Sequence, residues 1–134
     1  MSDFSAYTAG EVASWMSQGT VASPPTNLYV ALIDGTGSEV SGSFANDRPS
    51  TAAGTDWDII NGSDFENNAE IDFGEAASDV TDIQDVALYD DTLANGGNLI
   101  AQYTLTDAPF DVSAGSRAFF DPQALSFDVL DTTE

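Results

Sequence analysis

After residue 56 the chain is cut into short apolar runs by turn-forming residues, and that rhythm restricts its fold more than any other feature. The runs are Trp57–Ile60, Ala69–Phe73, Ile83–Tyr89, Leu99–Leu105, Phe110–Val112, Ala118–Phe120 and Leu125–Leu130. Between them stand Asn61-Gly62, Gly74, Asn95-Gly96-Gly97, the segment Asp107–Pro109, Gly115 and Pro122. Several runs alternate: Ile71 and Phe73 flank Asp72, while Leu99, Ala101, Tyr103 and Leu105 alternate with Ile100, Gln102 and Thr104. Leu125, Phe127 and Val129 repeat the pattern. Period-two alternation between turn signals places one side of each strand on a core, so residues 57–131 are expected to form antiparallel strands. The predicted class is mainly β, an antiparallel β-sandwich or barrel with one short amino-terminal α-helix.

The helix is expected within residues 1–19. Thr8-Ala9-Gly10-Glu11 fits a capping box, with Tyr7 and Val12 as a staple around it and Gly19 as the left-handed stop. Val12, Trp15 and Met16 fall on one face, which Phe4 extends. A helix without Lys or Arg suits a sheet face or a neighbouring subunit rather than a membrane surface. Pro24-Pro25 ends this unit and launches a first strand at 28–33, whose unbroken apolar character predicts burial on both faces. The following Asp34-Gly35-Thr36-Gly37 continues neither phosphate-loop pattern and reads as a turn. Residues 35–55, rich in Gly, Ser, Ala and Thr with Phe44 as their only aromatic before Trp57, are expected to form a long loop or arm. At 134 residues the whole is one domain, 1–134.

Charge and missing residue types then narrow the function. The chain carries 23 Asp and Glu against two Arg, a net charge of -21, yet is 42% hydrophobic. It can therefore fold, and its self-repulsion is tolerable where the screening length falls to about 3 Å, near 1 M salt. A salt-loving host is expected. Nucleic-acid binding needs clustered cations and is excluded. No Cys, His or Lys is present, which removes thiol, Ser-His-Asp, most zinc and Schiff-base chemistry. No enzyme activity and no cofactor are expected. Asp79, Asp82 and Asp85 are the weak calcium candidates, but no acidic cluster matches an EF-hand loop. Asp72-Phe73-Gly74 lacks every other kinase element, and no leader or apolar membrane span is visible.

The order of segments resembles a family of small structural proteins of tailed viruses. The resemblance rests on Leu28–Leu32, Glu39–Gly42, Asn68–Phe73, Ala87–Asp90, Gly96–Leu99 and Gly115–Phe127. Two departures stand out. The usual Gly-Gly-Tyr-Ala-Arg appears only as Ser43-Phe44-Ala45-Asn46-Asp47-Arg48, and acids replace neutral positions throughout, as in a haloarchaeal virus. The resemblance implies a non-enzymatic virion protein whose partners are copies of itself and other virion proteins. The lack of any fibrous repeat favours a capsid decoration or turret over a tail fibre or baseplate piece. A carbohydrate or calcium-dependent adhesion module reading host-surface glycans through Trp57 and Tyr103 is the further alternative. Trp15, Met16 and Phe44, hard to place in one sandwich, are the expected interface residues, together with Arg48 and Arg117 paired to carboxylates.

Overall fold

Two strands with apolar residues on both faces organise the molecule. The computed structural model describes residues 3–20 and 23–129. In it β1 (Asn27–Asp34) pairs antiparallel with β6 (Val80–Tyr89), from Tyr29 opposite Tyr89 to Asp34 opposite Ile83. Val30, Leu32, Val86 and Leu88 point into the main core, while Ala31, Ile33 and Ala87 form a second cluster behind them. The continuous apolar pattern of the first strand thus has the cause expected of it: both faces are covered. β2 (Ser50–Ala52) flanks β1, β7 (Leu99–Thr104) flanks β6, and β8 (Phe110–Val112) continues along β6 at Val80 and Ile83.

Against this sheet lie β3 (Trp57–Ile60), β4 (Asp64–Asn67) and β10 (Ser126–Asp128), in the order β10-β4-β3, and the pair β5 (Ile71–Glu75) with β9 (Arg117–Phe120). Among the described residues all strand pairings are antiparallel and no barrel closes, so the architecture is sandwich-like, with the core between the layers. Phe127 sits at its centre, with the Tyr103 ring edge-on at 4.8 Å and Phe65 stacked at 5.3 Å. Residues 3–5 lace the layers together: the Gln102 amide donates to the Asp3 carbonyl (3.0 Å), and the Asp3 amide to the Asp128 carbonyl (2.9 Å). Leu130 and residue 131 of the predicted closing strand lie outside the described residues.

Three local expectations need correction. The helix α1 (Ala6–Gln18) is capped by Ser5, not Thr8: Ser5 is extended and its hydroxyl accepts from the Thr8 amide at 3.2 Å. The body draws the helix start back, because the Leu99 and Ile100 carbonyls take the Ser5 and Thr8 hydroxyls. Gly19 does end the helix in the left-handed region (φ 69°), its amide donating to the Trp15 carbonyl. Secondly, Asp64–Asn67 is a strand with β-partners on both sides, although its sequence has a single large apolar residue. Asn67 explains it. The side chain is fully buried, donates to the Ala69 and Asp121 carbonyls (2.9 Å each) and accepts from the Leu125 amide (2.9 Å), tying the β9–β10 connection to β4.

Thirdly, residues 35–55 do not leave the body as an arm. The Val40 amide donates to Leu32 (2.8 Å) and the Val30 amide to Pro49 (3.0 Å), so the segment leaves β1 and returns along the same edge. Its polar side chains fold it. Asp34 accepts from the Thr36 hydroxyl (2.6 Å) and the Thr36 and Ser38 amides, which hold its carboxyl below the usual carboxylate range. Asp47 accepts from the Gly42 and Phe44 amides. Phe44 is buried with its ring 5.9 Å from Phe73. The segment crosses β5 so closely that a β-carbon on Gly74 (φ 79°) would sit 2.8 Å from that of Ala45. The Asp72-Phe73-Gly74 tripeptide therefore marks a bulge within β5, not its end.

Arg48 fastens this excursion. Its Nε and Nη2 donate to the two Glu39 carboxylate oxygens (2.7 Å each), Nη1 donates to the Asp91 and Gly96 carbonyls (2.9 and 2.7 Å), and the guanidinium lies 3.7 Å above the Tyr89 ring. Replacing it by Met is expected to cost about 3–5 kcal/mol, because Glu39 is left as an unpaired, largely buried charge. Arg48→Lys should recover only part of this, for an ammonium cannot bind both carboxylate oxygens and two carbonyls in one plane. Asn67→Ala should lose about 2–4 kcal/mol by stranding a buried amide and two carbonyls. Urea unfolding midpoints check all three; wild-type values for either Arg48→Met or Asn67→Ala contradict the roles assigned.

Candidate assembly surface

Helix α1 is attached by its first turn and little else. The Ser5 and Thr8 hydroxyls hold it to the carbonyls at the start of β7, and none of its residues is buried. Val12, Trp15 and Met16, at helical spacings of three and four, share a face that no described element covers; Trp15 is 62% and Met16 77% exposed. The surroundings are unusual for this chain. Glu11 is the single charged residue between Asp3 and Asp34, although the sequence holds 23 acids. The exposed apolar face thus lies on a stretch of sequence, residues 4–33, whose single charge is Glu11.

Two concavities sit at opposite ends of β7. Beside the helix, Tyr7, Thr8, Glu11, Pro24, Pro25 and Asp90 line a groove of about 310 Å³. Partial desolvation there, reinforced by the Glu11 and Asp90 carboxylates, raises the Tyr7 phenol above its ordinary pKa. At the far end, Tyr103, Leu105, Asp107, Phe110, Phe119 and Phe120 line a groove of about 520 Å³. Phe119 is 42% exposed, and the Arg117 guanidinium lies 4.3 Å above its ring. Arg117 also pairs with Glu70 and, at 3.1 Å, with Asp72, and these carboxylates raise its already high pKa.

The residues singled out in the sequence fall into two groups. Trp15 and Met16 are on the surface as an interface requires. Phe44 and Arg48 are not: the sandwich does have room for the ring, and the guanidinium is consumed by Glu39 and by carbonyls of the same chain. Arg117 is paired with carboxylates, within the chain, and keeps solvent access. Neither proposed sugar platform is displayed. Trp57 is buried with its indole N–H donating to the Thr51 hydroxyl (2.8 Å), and the partly buried Tyr103 accepts from the Ser126 amide (3.3 Å).

Asp79, Asp82 and Asp85 do not converge. Asp79 accepts from the Ala114 amide, Asp82 from Gln84 and Asp85 from Gln102, and no group of three acids among the described residues is arranged to hold a metal ion. Asp82 (φ 60°) lies in the bulge of β6 instead. Sequence reasoning missed Phe119 and the 79% exposed Ile59 as surface apolar residues. Phe119 had a local signal, standing out of phase with the partly buried Ala118 and Phe120, whereas Ile59 had none, since alternation puts it in phase with the buried Trp57 two places before it.

No match was found among curated proteins. A family model described as podophage GP4 fiber I protein gp80 matches residues 3–128, a span that contains α1 and every strand from β1 to β10. The match covers the lacing residues 3–5, the folded-back excursion and the exposed helix alike, so it applies to the fold as a unit. The chain belongs to the family of podophage GP4 fiber I protein gp80, a virion component.

Proposed function

We propose that this protein is a non-enzymatic structural subunit of the tail fibre of a halophilic tailed virus, joined to its neighbours through the apolar face of α1. The observation that carries the reading is that the core is complete without Val12, Trp15 and Met16, which the fold nevertheless displays on a helix. A monomer gains nothing from such a face, whereas a subunit uses it as an anchor. The family's description as a fiber protein supports a fibre over the capsid decoration or turret that the lack of a fibrous repeat favoured. The partners in this reading are copies of the chain and other virion proteins.

The halophilic part rests on charge. With 23 acids, no Lys and both Arg engaged by carboxylates of the same chain, surface repulsion has no internal remedy. Added salt supplies one by shortening the screening length from ~10 Å at 0.1 M to ~3 Å at 1 M. Thermal unfolding should accordingly move up by several degrees between these two salt concentrations, and sedimentation should show assembly at the higher one. Equal melting temperatures in both would remove the salt-loving host from the reading. For the interface, the double change Trp15→Ser, Met16→Ser should abolish assembly while altering stability by no more than about 0.5 kcal/mol, as expected of exposed positions. A fully assembled double variant would show that the helix face is not the joint.

A further inference from the structure

We infer that Asn61 is a site of spontaneous covalent modification, where the side-chain amide is lost and the backbone is rerouted, while the fold locks the two other dipeptides capable of the same chemistry. An Asn or Asp followed by Gly can close on itself: the glycine nitrogen, with no β-carbon to shield it, attacks the side-chain carbonyl carbon. Three such dipeptides occur, Asp34-Gly35, Asn61-Gly62 and Asn95-Gly96. By sequence alone, Asn61 and Asn95 are equals.

Their surroundings separate them. The Asn95 side-chain amide donates to Asp91 Oδ1 (3.1 Å), and its backbone amide donates to the Thr92 hydroxyl (3.3 Å). The attacking nitrogen, that of Gly96, donates to the Leu93 carbonyl (3.2 Å), and the Gly96 carbonyl is held by the buried Arg48 (2.7 Å). Asp34 is fixed by Thr36 and Ser38, which keep its carboxyl ionised and resistant to attack, and the Gly35 amide donates to the Asp82 carbonyl (3.0 Å). Asn61 has no such hold. It stands with Gly62 at the exposed tip of the β3–β4 hairpin, with φ of 53° and 79°, both positive as a type I′ turn requires. Among the described residues, no group accepts from the Gly62 amide and none engages the Asn61 side chain. Ring closure requires the peptide between them to swing until its nitrogen faces the side-chain carbon. The turn bond this breaks, from the Ser63 amide to the Ile60 carbonyl, is long at 3.3 Å.

The reaction balances with water as its one co-reactant. The Gly62 nitrogen bonds to Asn61 Cγ and gives up its proton, the side-chain nitrogen leaves with that proton as ammonia, and a five-membered succinimide remains. Water then opens the ring. Attack at Cγ gives Asp, and attack at the main-chain carbonyl gives isoaspartate, whose backbone runs through the former side chain. Both products add a carboxylate to an already repulsive surface, and isoaspartate also lengthens the main chain by a methylene beside the Ile60–Asp64 pair.

Incubation of the folded chain in about 1 M salt at mildly alkaline pH, with acid quenching and mass spectrometry of peptic peptides, reads the three sites separately. The Asn61 peptide should gain about 1 Da and divide into Asp and isoaspartate forms. Asn95, which must break additional hydrogen bonds, should react roughly tenfold more slowly or less, and Asp34 should stay unchanged. In denaturing urea Asn95 should react as fast as Asn61. Asp91→Ala, which releases the Asn95 side chain and leaves Asn61 untouched, should raise the Asn95 rate several-fold in the folded chain. Equal rates at Asn61 and Asn95 in the folded parent, or an Asn61 that reacts in urea but not when folded, overturn the assignment. An Asn95 rate that neither urea nor Asp91→Ala changes overturns the locking of that site.

Discussion

The buried guanidinium of Arg48 is the interaction on which the arrangement of the first sheet depends. In a chain so acidic, Glu39 would be repelled by its surroundings; held bidentately by Arg48, it becomes the fixed point where the excursion after β1 turns back. The same cation satisfies two carbonyls of the turn between β6 and β7 and covers the Tyr89 ring. One side chain thus joins the end of β6, the turn beyond it and both limbs of the excursion. The consequence reaches past local order. Because β2 and the excursion lie along β1, that strand presents no open edge among the described residues.

With the edge closed, what remains available for association is set by charge. Most of the surface repels a copy of itself, and neither cation is free to bridge subunits without leaving a carboxylate partner. The helix region, with one acid between Asp3 and Asp34, is the exception. A small virion subunit that must assemble strongly with chosen neighbours and not with everything else is well served by this division. Repulsion acts as the general rule, and a short apolar face with few charges as the permitted contact.

Legibility in the sequence followed the kind of physics involved. Alternating runs such as Leu99–Leu105 disclosed strands because the period belongs to the backbone and needs no partner to be recognised. β4 stayed hidden, since Asp-Phe-Glu-Asn reads as polar and its strand character comes from Asn67, two of whose three side-chain bonds go to residues more than fifty positions away. The helix was visible but its cap was displaced from Thr8 to Ser5, because hydroxyls there could reach β7 carbonyls that only the packed chain supplies. Of the expected interface residues, Trp15 and Met16 lie outside and Phe44 and Arg48 inside. Nothing local separates those two pairs; the difference is whether another part of the chain comes back to cover them.

By itself, then, the sequence determined the mainly β class, the single helix with its left-handed stop, the family resemblance, and the chemistry the protein lacks, since these follow from residue types and short periods. Tertiary structure alone decided which polar groups are structural and which apolar groups are left over. That division depends on long-range complementarity: a guanidinium finds a carboxylate nine positions away and carbonyls more than forty positions away, an asparagine finds an amide 58 positions along, and the aromatic groove exists only where β7, β8 and β9 meet. A one-dimensional pattern specifies which face of an element prefers burial. Whether that face is buried depends on how the other elements fill space around it.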